Sequence, residues 1–189
     1  TPLYSSAASD VYKRQTSNRP IRTPDDLNGL RLRVPNVPLF VSVWQALGAR
    51  PTPMAFGEVF TSLQNGTIDG QENPLALIRS ANFNEVQRVL NRTEHVRSWI
   101  YVAISERRWQ ALSATDREIV AEATRRAQAF ERRLFIEDER SLEADLRARG
   151  MTFVDSDQAA FADRARPAAL AGVRPEVRPL VEQIMSIRA

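Results

Sequence analysis

Leu30-Arg31-Leu32-Arg33-Val34-Pro35 alternates apolar and charged side chains up to a proline. A strand turns successive side chains to opposite faces, so Leu30, Leu32 and Val34 share one face and Arg31 and Arg33 the other. Pro35 stops the strand, and Pro38 is placed to open a helix. Leu39, Val43, Ala46 and Leu47 then fall at helical spacing, and Gly48 closes that helix. A strand, a tight connection and a helix make the repeating unit of an α/β sheet.

The same grammar continues on both sides. Upstream, Pro20, Pro24 and Asp25-Asp26 mark a loop entering a short helical turn that ends near Gly29. Downstream, Pro51 and Pro53 predict an extended connection. Phe56, Val59, Phe60 and Leu63 predict a second helix closed by Asn65-Gly66, and Thr67 to Gly70 a very short strand. A helix is expected from Pro74 to about Ser80, and a short helix or turn across Phe83 to Leu90. Trp99 to Ile104 is a continuous apolar run and reads as a strand buried on both faces. Ser113, with Asp116 three residues on, caps the longest feature. Its stripe is Ile119, Val120, Ala123, Ala127, Phe130, Leu134, Leu142 and Leu146, and Gly150 stops it. Glu122 with Arg126, Glu143 with Arg147 and Asp145 with Arg149 are expected i,i+4 pairs. At 1.5 Å per residue this helix reaches about 50 Å, which predicts that it bridges two lobes or kinks near Asp138. Met151 to Val154 reads as a short strand, and Pro179 to Ile187 as a last helix. The fold class is α/β with a mainly parallel or mixed sheet.

Composition narrows the function. Hydrophobic residues at 43% and charged residues at 26% describe a chain that folds rather than a disordered one. No apolar run reaches the length of a membrane span. The absence of Cys excludes disulfides, thiol catalysis and zinc–thiolate sites. The net charge is +3, but acidic residues are interleaved with the basic ones. No basic stripe emerges, so nucleic acid is not an expected partner. Residues 1–15 differ from the rest: they hold Lys13, the one lysine, in an otherwise arginine-only chain, and show no period. They read as a non-native junction or a disordered terminus. No apolar leader core is recognisable there.

Little catalytic chemistry is on offer. His95 has no second ligand at metal spacing, and reads as a surface or hydrogen-bonded histidine. Asp69 and Glu72 are candidates for an acid–base pair, with a loop-capping or solvated role the simpler reading. No phosphate-binding glycine loop and no G-x-S-x-G elbow occurs. Arg33 stands apart, because it ends a strand where α/β sheets bind ligands. A guanidinium there suits a carboxylate, although a structural ion pair is the simpler alternative.

Three blocks carry a resemblance. Arg19-Pro20-Ile21-Arg22-Thr23-Pro24-Asp25-Asp26-Leu27-Asn28-Gly29 runs into Leu30 to Asn36. Gly48-Ala49-Arg50-Pro51-Thr52-Pro53-Met54-Ala55-Phe56-Gly57-Glu58-Val59-Phe60 follows. Leu63-Gln64-Asn65-Gly66-Thr67-Ile68-Asp69-Gly70-Gln71-Glu72-Asn73-Pro74 completes the set. In order and spacing they resemble the DctP-like solute-binding subunit of tripartite ATP-independent periplasmic (TRAP) transporters, over about residues 17–150. The resemblance implies a periplasmic binding protein-like fold: two α/β lobes around a cleft, with a long lobe-spanning helix. By matching position, Arg33 would grip a ligand carboxylate, Asn36 would lie beside it, Phe56 would pack on the ligand body and Asn73 would hydrogen-bond it. It implies capture of a small organic acid in the periplasm and delivery to membrane permease subunits, with no catalysis, cofactor or metal.

The resemblance also divides the chain. Residues 1–15 precede it, 16–98 would form the second ligand-binding lobe with its entering hinge strand, and 99–112 a strand returning to the first lobe. Residues 113–150 would be the bridging helix, and 151–189 a segment packing on the lobes. The first lobe would be largely missing, which predicts a chain that is unstable or binds weakly. Two other readings remain open: a ligand-sensing module of a signalling system, and a lyase or hydrolase using Asp69, Glu72 and His95.

Overall fold

A computed structural model describes residues 7–186, without the side chains of residues 7–11 and 98–101. Its strands are β1 (Ala7–Ser17), β2 (Arg31–Val34), β3 (Arg50–Pro53), β4 (Gly70–Asn73), β5 (Val89–Tyr101) and β6 (Thr152–Asp155). They form one sheet in the order β3-β2-β4-β1-β5-β6. β2 runs parallel to both β3 and β4, and β5 parallel to β6. β1 lies antiparallel to β4 and β5. The sheet is therefore mixed, as α/β patterning predicts.

Helices cover both faces. They are α1 (Pro38–Ala46), α2 (Val59–Gln64), α3 (Leu75–Ser80), α4 (Glu106–Ala111), α5 (Ala114–Ala148), α6 (Gln158–Ala171) and α7 (Arg178–Ser186). Leu30, Leu32 and Val34 pack with Trp44 and Leu47 of α1 and Phe161 of α6 in one apolar core. Val59, Leu63, Leu75, Ile78, Phe83, Leu90 and Leu146 fill the other. The alternation of Leu32 and Arg33 thus sends Leu32 into the first core and Arg33 to the opposite face of the sheet.

β1 overturns the expectation of disorder for residues 1–15 from Ala7 onward. The strand sits in the interior of the sheet between β4 and β5. Its interior side chains are polar, which hid it: Gln15, Thr16 and Ser17 are fully buried. Buried amides and hydroxyls are tolerated when every one is bonded. Asn91 supplies much of that bonding, donating to Gln15 Oε1 at 2.5 Å and to Ser17 Oγ at 2.9 Å. Its own Oδ1 accepts from the Ile21 N–H at 2.8 Å.

Other elements shift more modestly. The short strand expected at Thr67 to Gly70 begins at Gly70, because Asp69 is held outside by Arg31. The strand expected at Trp99 to Ile104 is the far end of β5, and Val102 and Ile104 beyond it are exposed. The turn expected across Phe83 to Leu90 is confined to Phe83–Glu85, and β5 begins at Val89. α5 runs unbroken through Asp138, with Ser113 Oγ accepting from the Asp116 N–H at its start. The pairs Glu143–Arg147 and Asp145–Arg149 form, whereas Glu122 turns to Arg125 instead of Arg126. Only the last part of the α5 stripe is packed: Leu146 is buried, while Ile119 and Phe130 are 60% and 55% exposed. α6 was not read from the sequence, although Asp157 caps it and Phe161 anchors it.

Candidate functional site

Strands β2, β3 and β4 are mutually parallel in the chain of pairs β3-β2-β4, so their carboxyl ends open on one side. That is the side of an α/β sheet where ligands lodge. Arg33 stands there, 5% exposed. Its Nε and Nη2 both donate to the Met54 carbonyl oxygen, at 3.1 and 2.8 Å. Met54 is itself fixed, because its N–H donates to the Val34 carbonyl at 3.2 Å. One edge of the guanidinium is therefore anchored, and Nη1 has no protein acceptor among the described residues. Burial pulls the Arg33 guanidinium below its ordinary value, and the nearby charge of Glu72 opposes the shift. Arg33 makes no ion pair with the described residues, and its fixed partner is the Met54 carbonyl rather than a carboxylate.

An apolar wall stands beside it. The Phe56 ring lies 6.0 Å from the Arg33 guanidinium carbon and 5.9 Å from the Phe83 ring. Phe83 is fully buried and supports Phe56, which remains 40% exposed. A buried cation against a half-open aromatic face can hold a molecule that has an anionic end and a carbon body.

A polar relay lies on the same face. Arg33 is the register partner of Gln71, and Asn73 follows two residues along β4. Asn73 Nδ2 donates to Gln71 Oε1 at 2.6 Å, and Gln71 Nε2 donates to Thr16 Oγ1 at 2.9 Å. Gln71 and Thr16 are fully buried, and Asn73 is 5% exposed. Asn36 lies past the end of β2, exposed and without a side-chain hydrogen bond among the described residues. The structure thus brings Arg33 and Phe56 into contact and sets Asn73 on their face of the sheet. Asn36 it leaves at the rim.

Glu72 points to the opposite face. His95 Nε2 lies 3.1 Å from Glu72 Oε2, and His95 Nδ1 lies 2.8 Å from Thr93 Oγ1. Lys13 Nζ also reaches Glu72, at 3.1 Å. Trp44 meets the imidazole edge-on with ring centroids 4.7 Å apart. Burial pushes the His95 pKa down, against the raising effect of Glu72. Asp69 belongs to neither group. It takes the Arg31 side chain at 2.9 and 2.5 Å and the Arg31 N–H at 2.9 Å, and this pairing holds its carboxyl below the usual range. Asp69, Glu72 and His95 therefore do not converge. The solvated role read for Glu72 is also wrong, because its side chain is fully buried.

Reasoning from sequence missed the Met54 carbonyl and Gln71. The first is a backbone group and leaves no trace in residue type. The second was legible in principle, since Gln71 shares the parity of Asn73 in Gly70-Gln71-Glu72-Asn73. Among the described residues no group of acidic and histidine side chains has the geometry of a metal site. No helix among them is long and apolar enough to cross a membrane.

The chain is similar in sequence and fold to known proteins. A solute-binding protein of Roseobacter denitrificans is 61% identical over 171 residues, covering 90% of this chain and 53% of its own length. A crystal structure of a TRAP periplasmic solute-binding protein from the same organism, with bound L-galactonate, matches with a TM-score of 0.82 at 58% identity. That match covers 95% of this chain and 60% of the other. A TRAP periplasmic solute-binding protein from Sulfitobacter, with bound β-D-galacturonate, gives a TM-score of 0.84 at 29% identity, over 94% of this chain and 61% of the other. The chain spans about half the length of the curated relative it matches at 61% identity. Its shared architecture is the periplasmic-binding-protein-like fold of these structures, of which it covers about three-fifths. Residues 7–171 match the family described as bacterial extracellular solute-binding protein, family 7 (DctP), and the chain belongs to that family.

Proposed function

We propose that this chain forms the carboxylate-gripping part of a periplasmic solute-binding protein. That protein would capture a sugar acid and deliver it to TRAP-type permease subunits. The observation that carries the reading is the free edge of Arg33: a buried guanidinium with one side fixed on the Met54 carbonyl and Nη1 unpaired among the described residues. An anchored, desolvated guanidinium accepts a planar carboxylate with little reorganisation. Phe56 would pack against the carbon body, Asn73 would meet a polar group near the carboxylate, and Asn36 would close the rim. The bound L-galactonate of the Roseobacter protein supports an aldonate as the ligand class. An aldonate carries a carboxylate, and a hydroxyl on each carbon of its chain.

Calorimetric titration of the whole protein with L-galactonate tests this reading. Saturable binding that is lost in Arg33→Ala is the expected result. Equal affinity in that variant, or no affinity for any aldonate or uronate, sinks it.

A further inference from the structure

Asparagine precedes glycine at Asn28-Gly29 and at Asn65-Gly66. Glycine leaves the nitrogen after an asparagine unshielded, which opens that side chain to attack by its own backbone. Both asparagines are exposed, and a Cβ at either glycine would meet nothing within 4 Å. Residue type and access therefore do not separate the two pairs. Hydrogen bonding does.

Asn65 closes α2. Its N–H donates to the Thr61 carbonyl at 2.9 Å, and the Gly66 N–H donates to the Leu63 carbonyl at 3.2 Å. The Thr67 and Ile68 N–H groups both return to the Ser62 carbonyl. The Gly66 nitrogen is thus a committed donor in a bonded helix end. Asn28 and Gly29 are instead the central residues of a turn, closed by the Leu30 N–H on the Leu27 carbonyl at 2.9 Å. Asn28 has φ −55° and ψ 121°, and Gly29 has φ +76°, which make it a type II turn. The peptide unit between them takes no part in the closing bond. The Gly29 N–H has no acceptor among the described residues. The Asn28 carbonyl is held by the exposed Arg19 side chain, at 3.1 Å.

We infer that Asn28-Gly29 is a site of self-modification, where the chain converts its own asparagine into aspartate and isoaspartate. The Gly29 nitrogen loses its proton to solvent base and forms a bond to Asn28 Cγ. The Cγ–Nδ2 bond breaks, and Nδ2 takes a proton from water and leaves as ammonia. One water then opens the five-membered imide at either carbonyl. In balance, asparagine and water give the acid and ammonia, and the step is fast only because both reacting groups belong to one chain. Opening at the backbone carbonyl routes the chain through Cβ and Cγ, one methylene longer. That insertion falls just before Leu30, which is buried in the first core and takes the Arg50 N–H on its carbonyl at 2.7 Å. β2 begins one residue later, so the isoaspartyl form enters the strand out of step.

The test ages the whole protein at mildly alkaline pH, with and without urea, and follows both peptides by mass spectrometry. In the folded protein Asn28 should convert about tenfold or more faster than Asn65, where the Gly66 hydrogen bond and its neighbours must open first. In urea the two rates should come within about threefold of each other, because the bonds that protect Asn65 are gone. Equal rates in the folded protein, or a faster Asn65, overturn the inference. So does a tenfold gap that persists in urea, since the cause would then lie outside the turn. Protein carrying isoaspartate at position 28 should also unfold at lower urea than an Asn28→Asp variant; equal midpoints overturn the claim that β2 is disturbed.

Discussion

Nε and Nη2 of Arg33 converge on a single acceptor, the carbonyl oxygen of Met54, at 3.1 and 2.8 Å. The side-on edge of the guanidinium is therefore occupied, and any ligand must approach end-on. Lysine cannot imitate this arrangement, since a point charge with rotating donors cannot be held from one side and bind from the other. Arg33→Ala should cost about 2–5 kcal/mol of ligand affinity. Arg33→Lys should recover less than half of that loss. Isothermal titration of the whole protein with L-galactonate reads both, and a lysine variant of native affinity would show that charge alone suffices.

Gly70 is fixed by its neighbours. A Cβ at this position would lie 2.3 Å from the Thr16 carbonyl oxygen and 2.7 Å from Gln15 Nε2. Strands on both sides of β4 prevent the backbone from yielding. Gly70→Ala should destabilise by about 3 kcal/mol, the upper end of what overpacking costs. Gly66, with φ +68° and open space around it, offers the contrast. Gly66→Ala should cost about 1 kcal/mol, from the backbone alone. Urea titrations of the two variants should rank them in that order; the reverse order refutes the steric account.

His95 makes stability depend on pH. Burial lowers its folded pKa, so the unfolded chain binds the proton more readily. Stability is then fully present above the ordinary histidine value, near 6.5, and declines as pH falls below it. The lowered carboxyls of Asp26 and Asp69 add losses of the same sign at more acid pH. Denaturant midpoints measured at pH 7.5 and 5.5 should show the decline. His95→Gln should flatten it within that window, and an unchanged slope in the variant assigns it elsewhere.

The two ends of α5 should respond differently to truncation. Leu146 is fully buried against Phe83 and Leu90 in the second core, whereas Phe130 is more than half exposed. Leu146→Ala should destabilise this chain by about 2–5 kcal/mol. Phe130→Ser should stay within about 0.5 kcal/mol of the parent. Melting curves of the chain resolve the difference, and equal losses would mean that α5 packs along its whole length.

Most of the apolar architecture could be read from residue order. Leu32 and Val34 announce β2 by alternation, Ser113 and Gly150 bracket α5, and Arg33 marks the strand end. What escaped is polar and interior. Gln15, Thr16 and Ser17 look like a loop because strand patterning is sought in apolar residues, yet the burial of Gln15 and Ser17 rests on Asn91 from 74 or more positions away, and that of Thr16 on Gln71, 55 positions away. The link between Glu72 and His95 arises only when β1 brings β4 and β5 together. Contacts of that kind have no local period, so no window of sequence contains them. The Trp99 to Ile104 run misled for the opposite reason: apolar content alone does not say where a strand begins, and β5 starts ten residues earlier, at Val89.

β3 lies at the margin of the sheet and alternates arginine or threonine with proline. Arg50 turns its N–H inward, to the Leu30 carbonyl at 2.7 Å. By the two-residue alternation of a strand, Pro51 and Pro53 occupy the outward-facing amide positions. Those are the places where a newcomer strand would seek donors, and proline has none to offer. The margin can still accept hydrogen bonds but cannot return them, so no intruding strand can complete a ladder along it. The molecule thereby resists filament growth from the flank nearest Arg33, with no additional chain needed as a cover.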